Sequence, residues 1–259
     1  MSQRRFLCGL AVLLCVAAVL IVIGRYTELD LALADHYYDA VAASFPARDA
    51  WFFEFLMHRM VKALMIAVGM VPSLALLADW VLGHTLLPGN ARRALSVVVL
   101  SSLAITLFIS LTKHFSIHHC PWDLSRYGGF APYLRIFDAL PEGASAGRCF
   151  PAGHASSALW LASVCVFWLP ASPRRALAVF LAGLLPGLAL GWVQQMRGAH
   201  FLTHTLWSAW IAALVILLLA RLIMPAAERD DGQACGLPVY EADALPVNGT
   251  LEKPGEGRA

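Results

Sequence analysis

Long apolar runs separated by short polar connections are the dominant pattern of this 259-residue chain. Six runs have the length and apolar character of membrane helices: 6–24, 62–83, 94–112, 154–170, 176–193 and 204–224. The fourth run is short and the fifth contains Pro186, so both need neighbouring helices or polar caps to lie in lipid. The pattern predicts an all-α integral membrane bundle of six transmembrane helices.

The polar connections divide the chain further. Residues 25–61 are rich in aromatic and charged positions, which favours short amphipathic helices at the membrane interface. Residues 225–259 contain Pro, Gly and acids without apolar periodicity, a composition typical of disorder. We therefore expect one membrane domain over residues 1–224 and a disordered cytoplasmic tail over residues 225–259.

Paired arginines predict the orientation. In a six-span layout three pairs fall on one side of the membrane: Arg4 and Arg5, Arg92 and Arg93, Arg174 and Arg175. The positive-inside rule makes that side cytoplasmic. The first run ends without a clear signal-peptide cleavage site, so we expect it to be an uncleaved helix. The predicted location is a bacterial inner (cytoplasmic) membrane, with both termini in the cytoplasm and connections one, three and five at the periplasmic face.

Composition supports this assignment and narrows the function. Hydrophobic residues make up 59% of the chain and charged residues only 14%, which excludes an ordinary soluble protein. The formal net charge is +2, so nothing in the composition indicates nucleic-acid binding.

The segment Arg148 to Ser157 holds a Pro-x-Gly turn that leads into an apolar run of small residues. Such a turn leaves backbone N–H groups free at the positive end of a helix, where anions bind. His154 follows the turn directly and adds an acid–base group. The segment is therefore a candidate phosphate site.

Other cations and histidines fall in the two loops that the topology places beside this turn. Together with it they are Lys113, Arg126, Arg148, Gly153, His154, Arg197, His200 and His204. Arginine binds phosphate through planar bidentate contacts, lysine acts as a point charge, and histidine supplies a nucleophile or a proton donor. This inventory fits phosphoryl transfer. Cys120 and Cys149 lie in the same predicted external loop, where disulfides persist, so we expect them to pair.

Three blocks of these residues resemble the type 2 phosphatidic acid phosphatase and vanadium haloperoxidase superfamily. Lys113, six residues and then Cys120-Pro121 match a Lys-x6-Arg-Pro block. Pro151-Ala152-Gly153-His154 matches Pro-Ser-Gly-His. His200 and His204 match the His and Asp of an Arg-x5-His-x3-Asp block. The resemblance covers residues 113–208.

The matching blocks depart from the family pattern at three positions. Cys120 occupies the slot of the first Arg, Gln194 the slot of the second, and His204 the slot of the Asp. A second alignment makes His204 the nucleophile with Arg197 before it and Ser208 in the Asp slot, but its spacing is one residue too long. We therefore take His200 as the nucleophile.

The resemblance implies a mechanism without metal or other cofactor. His200 would attack phosphorus to form a phosphohistidine while His154 protonates the leaving oxygen, and His204 would orient His200. The phosphate would be held by Lys113, Arg126, Arg148, the Gly153 N–H and Arg197. The implied substrate is a lipid phosphate or diphosphate, namely a phosphatidate, an isoprenyl diphosphate or a glycolipid phosphate, and the reaction is hydrolysis or transfer at the periplasmic face.

Two alternatives use the same residues. His114 with His118 and His200 with His204 are each spaced one helical turn apart, which is a zinc-ligand spacing and would suit a metal-dependent hydrolase. Alternatively, the lost Arg and Asp slots would mark a non-catalytic protein that binds phosphorylated lipid headgroups.

Overall fold

The computed structural model describes residues 1–169 and 171–224, and within them the chain is helical without a strand. The long elements are α1 Gln3–Tyr26, α2 Leu29–Tyr37, α3 Phe52–Val81, α4 Gly89–His114, α5 Gly153–Leu159, α6 Pro173–Met196 and α7 Leu202–Ile223. The first turns of α3 are π-helical, and α5 continues as a 3-10 helix over Trp160–Trp168. The all-helical class is confirmed. The predicted tail, residues 225–259, lies outside the described residues.

Five of the described helices, α1, α3, α4, α6 and α7, are long and apolar enough to cross a membrane. They indicate a multi-pass membrane protein. The fourth predicted span, residues 154–170, is helical over residues 154–168, and most of this helix is buried by its neighbours. It is not among the five, so a sixth crossing stays a prediction.

Helix α3 begins ten residues before the predicted second span. Two of the charges that made this stretch look like a connection are Glu54 and Arg59, and they pair with each other on the helix surface at 2.8 Å. Opposite charges that pair along one helix stabilise that helix, so they do not mark its end. Only α2 therefore remains as a short helix in the stretch between the first two spans.

Glycines on α6 allow the centre of the bundle to pack closely. A Cβ at Gly183 would lie 2.6 Å from Cα of Ala162, and a Cβ at Gly191 would lie 2.2 Å from Thr205. These distances are shorter than any real contact, so the backbone of the extended α5 and the Thr205 side chain of α7 approach α6 where only glycine fits. This close packing against α6 fixes the positions of the first turns of α5 and α7.

Asp79 is the one acid that the sequence places inside an apolar run, and it organises the connection between α3 and α4. Its carboxylate is fully buried and accepts hydrogen bonds from Nε of Arg92 at 2.6 Å and from the backbone N–H groups of Leu86 and Leu87. A buried charge needs such partners. Asp79 is thus a structural anchor.

Candidate active site

Helix ends that are far apart in the sequence meet at the opposite end of the bundle from the Asp79 connection. The backbone N–H of Ala152 donates to the carbonyl oxygen of His204 at 3.1 Å, and the Ser208 hydroxyl donates to the carbonyl of Ala152 at 3.0 Å. These bonds tie the Pro-Ala-Gly-His turn to the first turns of α7. The two blocks that carry the histidines are therefore held as one unit.

Three histidine rings lie in a row across this unit. The ring centroids of His154 and His200 are 6.5 Å apart, and those of His200 and His204 are 5.8 Å apart. His200 is only 3% exposed, and His204 is similarly buried on the first turn of α7. The structure thus brings together the three histidines that the sequence assigned to catalysis.

Lys113 reaches this row from the last turn of α4. Its Nζ would lie 3.8 Å from a Cβ placed on Gly153, the first residue of α5. The ammonium group is therefore beside the N–H groups at the start of that helix. A cation and helix N-terminal donors at one point make a candidate anion site next to His154 and His200.

A disulfide joins Cys120 to Cys149 and lies against the middle histidine. Sγ of Cys149 is 3.4 Å from Nδ1 of His200 and 3.1 Å from the carbonyl oxygen of Ala199. Cys149 is fully buried, so the disulfide forms one wall of the pocket that holds His200. Cys120, in the slot of the family's first Arg, supports this wall.

The surroundings of His200 favour its neutral form. Burial lowers the pKa of His200 well below its ordinary value, the nearby His204, Lys113 and His154 lower it further, and a hydrogen bond to the backbone of Cys149 opposes the shift. A neutral imidazole has the free lone pair that a nucleophile needs.

Arg197 and Gln194 pack together. Gln194 occupies the slot of the family's second Arg, and Arg197 fits that slot only in the second alignment. Arg197 is 4% exposed and donates from Nη1 to Oε1 of Gln194 at 3.2 Å and from Nε to the carbonyl of Arg48 at 3.1 Å. Its Nη2 pairs with Glu54 of α3. Arg197 therefore joins the turn before α7 to α3, and much of its charge is balanced there.

The two loop arginines differ in their surroundings. Arg126 makes a bidentate pair with Asp35 of α2, at 2.9 and 2.6 Å, and this pair keeps the pKa of Asp35 below its ordinary value. Arg148 is exposed, has φ +51° and follows directly on the disulfide wall. Among the described residues, the Arg148 guanidinium has no hydrogen-bond or ion-pair partner. Of the two loop arginines, Arg148 is therefore the one whose charge is available for an anion.

Two further residues support the site: Asp30, which was not singled out from the sequence, and His118, which the sequence named only in the zinc-ligand spacing. Asp30 of α2 accepts from the backbone N–H of Thr203 at 3.0 Å and pairs with its hydroxyl, so it caps α7 from another helix. Burial raises the pKa of Asp30, and its hydrogen bonds with Thr203 oppose this shift. His118, a loop residue, packs against Phe150 at a tilted angle, and Phe150 also contacts His204 edge to face. No local motif marks the contact that either residue makes here, because both contacts join parts of the chain that are far apart in sequence.

The zinc hypothesis needs three or more ligand atoms close together. In the described part of the chain one such group exists, Cys120, Cys149 and His200, and its two sulfurs are bonded to each other. His114 and His118 do not join His200 and His204 in a group of that kind. The predicted histidine spacing therefore produces no zinc-like cluster in these residues.

Comparison with known proteins identifies the family. The family model described as the PAP2 superfamily matches residues 94–227, just over half of the chain, and this range includes Lys113, the disulfide and the three histidines of the site. No curated protein and no solved structure matches the chain. Members of this superfamily are phosphatases, which indicates a phosphoric-ester hydrolase at a coarse level. The chain, a helical protein with five apolar helices of membrane-spanning length, belongs to the PAP2 superfamily of type 2 phosphatidic acid phosphatases.

Proposed function

We propose that this protein is a membrane phosphatase or phosphotransferase that acts on a lipid phosphate or diphosphate through a phosphohistidine. The observation that carries the proposal is the placement of His154 and His200 next to each other, with Lys113 beside the first turn of α5, in a PAP2 chain. Each block of the motif supplies one part of this arrangement.

The proposed first step follows from the positions of the rings. Nδ1 of His200 lies against the disulfide, so Nε2 is the nitrogen that attacks phosphorus. A P–N bond forms, the P–O bond to the leaving group breaks, and His154 gives its proton to the leaving oxygen. Lys113, Arg148 and the N–H groups at Gly153 stabilise the charge on the remaining phosphoryl oxygens.

The second step releases the phosphoryl group. Water attacks phosphorus while His154, now neutral, accepts a proton from it, and the P–N bond breaks to free His200. An acceptor hydroxyl in place of water gives transfer instead of hydrolysis. The two outcomes share all residues of the site.

A lipid substrate is favoured by the surroundings of the site. Two of the helices that carry its residues, α4 and α7, are apolar and of membrane-spanning length, so a phosphate held at their ends lies near an acyl–water boundary. The candidates are a phosphatidate, an isoprenyl diphosphate and a glycolipid phosphate. The paired arginines favour the outer, periplasmic face for this end of the bundle.

The test is phosphate release from these three lipid classes by the purified protein in detergent with EDTA, beside His200→Ala and His154→Ala. We expect chelator-resistant turnover that both substitutions reduce by about a thousandfold or more. A ³²P-labelled substrate should leave an acid-labile label on the wild type and none on His200→Ala. Activity that survives in His200→Ala would overturn the proposal.

A headgroup-binding protein would give a different result. Such a protein binds vesicles containing the lipid phosphate but releases no phosphate with or without acceptor lipids. A zinc hydrolase would lose activity in EDTA and regain it with zinc. Each outcome points to one of the alternatives that the sequence left open.

A further inference from the structure

Lys62 is the only Asp, Glu, Lys or Arg between Arg59 and Asp79, a stretch in which α3 is otherwise apolar. Its side chain is exposed, and among the described residues its ammonium group has no hydrogen-bond or ion-pair partner. A lysine in an apolar span of this kind either extends to the membrane interface or serves an anionic ligand. The position of Lys62 in the bundle favours a ligand.

Helices α3 and α5 run in the same direction, away from the candidate active site. Asp79, in the last turn of α3, pairs with Arg92 in the first turn of α4. The last turn of α4 carries Lys113, which lies beside Gly153 at the start of α5. The end of α3 and the start of α5 are therefore at opposite ends of α4, and both helices begin at the end that carries the site.

The contact between α3 and α5 sets the height of Lys62 in the bundle. A Cβ on Gly69 would lie 3.4 Å from the ring of Trp160. Lys62 precedes Gly69 by seven residues. Gly153 precedes Trp160 by the same number. Seven residues make about two helical turns, or about 10 Å, so Lys62 and Gly153 lie on the contacting faces at the same height. Lys62 is thus level with the Lys113 ammonium group beside Gly153.

The charges at this height have a definite order. Lys62 is close enough to act electrostatically on Lys113. Lys113 in turn acts on His200, together with His154 and His204. The α-helical part of α3 packs against α4 and α5, whereas His200 lies just before α7. Lys113 therefore lies between Lys62 and the proposed nucleophile, and Lys62 extends the positive charge of the site toward α3.

We propose that Lys62 binds the second phosphate of a lipid diphosphate whose terminal phosphate lies between Lys113 and His200. This inference rests on the proposed function and narrows its substrate class. Two neighbouring cations repel each other, and an anion that reaches both of them removes this repulsion. A diphosphate carries charge on two linked phosphate groups, so one molecule supplies an anion to each lysine.

The chemistry of the reaction agrees with this order. Nε2 of His200 bonds to the terminal phosphorus, the P–O bond to the bridging oxygen breaks, and His154 gives its proton to that oxygen. The leaving group is the lipid monophosphate, and Lys62 stabilises the charge that develops on it. The apolar chain of the lipid then lies along α3, where Leu64 and Ile66 are among the exposed apolar side chains.

The experiment compares farnesyl diphosphate with farnesyl monophosphate, which share one apolar chain and differ by the second phosphate. We expect the wild type to prefer the diphosphate, and Lys62→Met to lower kcat/KM for it about tenfold, the effect of one charge-assisted hydrogen bond. The value for the monophosphate should change less than about twofold. Lys62→Arg keeps the charge and should retain most of the preference. Arg59→Met, at a cation of the same helix that pairs with Glu54, is the matched control and should leave the preference unchanged.

Two kinetic results would overturn the inference. One is an equal loss of kcat/KM with both substrates, since that indicates that Lys62 only extends to the membrane interface. The other is no loss with the diphosphate. The phosphohistidine label from ³²P-labelled monophosphate is measured in the same samples, so failure of the proposed function is recognised separately by the absence of label on His200.

A binding measurement tests Lys62 without turnover. Inorganic pyrophosphate and inorganic phosphate are each titrated onto the wild type and onto Lys62→Met in detergent. We expect the substitution to raise the Kd of pyrophosphate about tenfold and that of phosphate less than about twofold. An unchanged Kd for pyrophosphate would contradict the role of Lys62, whatever the outcome of the labelling.

Discussion

Nδ1 of His200 lies 3.4 Å from Sγ of Cys149, so the proposed nucleophile rests against a disulfide. The disulfide also joins the Lys113 block to the Pro-Ala-Gly-His turn, which are separated along the chain. Its position makes it part of the site as well as of the fold. The position of the His200 ring should therefore depend on the disulfide.

Replacement of Cys120 and Cys149 by serine tests this dependence. The disulfide closes a loop between positions 29 residues apart, so its loss should lower the free energy of unfolding by about 3–4 kcal/mol. It should also lower kcat, because the wall behind His200 loosens. Denaturant unfolding in detergent and phosphate release measure the two effects. Cys15→Ser, at an exposed unpaired cysteine, is the matched control and should change neither.

The pH dependence of activity should follow His200. Because burial lowers the pKa of His200, the ring stays neutral and nucleophilic below pH 6.5, and the acid limb of kcat/KM should lie below that value. Lys113→Met removes a cation that lowers this pKa, so the acid limb should move to higher pH. A pH profile of kcat/KM for both proteins checks the shift, and a wild-type limb above pH 6.5 would contradict it.

Stability should change in the same pH range. The folded state binds fewer protons at His200 than the unfolded state does, so the free energy of unfolding should fall as pH drops through 6.5. His200→Gln removes this titration. Thermal unfolding of both proteins from pH 5 to 8 should show a smaller pH dependence in the variant.

We expect Arg148 to contact the substrate phosphate and Arg126 to serve only in its pair with Asp35. Arg148→Met removes an exposed cation beside the site and should raise KM about tenfold, the effect of one charge-assisted hydrogen bond. Arg126→Met breaks only the exposed pair with Asp35 and should change KM less than about twofold. Kinetics with one lipid phosphate compare the variants. The reverse order would assign the phosphate contact to Arg126.

The close contacts at the glycines of α6 predict that a larger side chain there destabilises the bundle. Gly183→Ala would place a methyl group 2.6 Å from Cα of Ala162 on the neighbouring backbone, so we expect a loss of about 1–3 kcal/mol in the free energy of unfolding. Gly89→Ala is the control, since nothing lies within 4 Å of its Cβ position at the start of α4. Equal stability of the two variants in detergent would show that α6 shifts to accept the methyl group.

The sequence by itself determined the helical class, most of the apolar helices and the three blocks of the family. These features are local, because they depend on apolar length, turn residues and fixed spacing. The same local information placed the start of α3 too late, since the Glu54–Arg59 pair forms only when the helix does. It also made 154–170 a span that needs neighbouring helices, and in the structure neighbouring helices bury most of residues 154–168, so a sixth crossing stays a prediction.

Only the tertiary structure decided how the cations and the supporting residues are used. It pairs Arg126 with Asp35 and Arg197 with Glu54, and it leaves Arg148 exposed. It also brings His118 to the back of His204 and Asp30 to the start of α7. These contacts join residues from different helices and loops. Their partners depend on how the elements pack, which no spacing along the chain encodes.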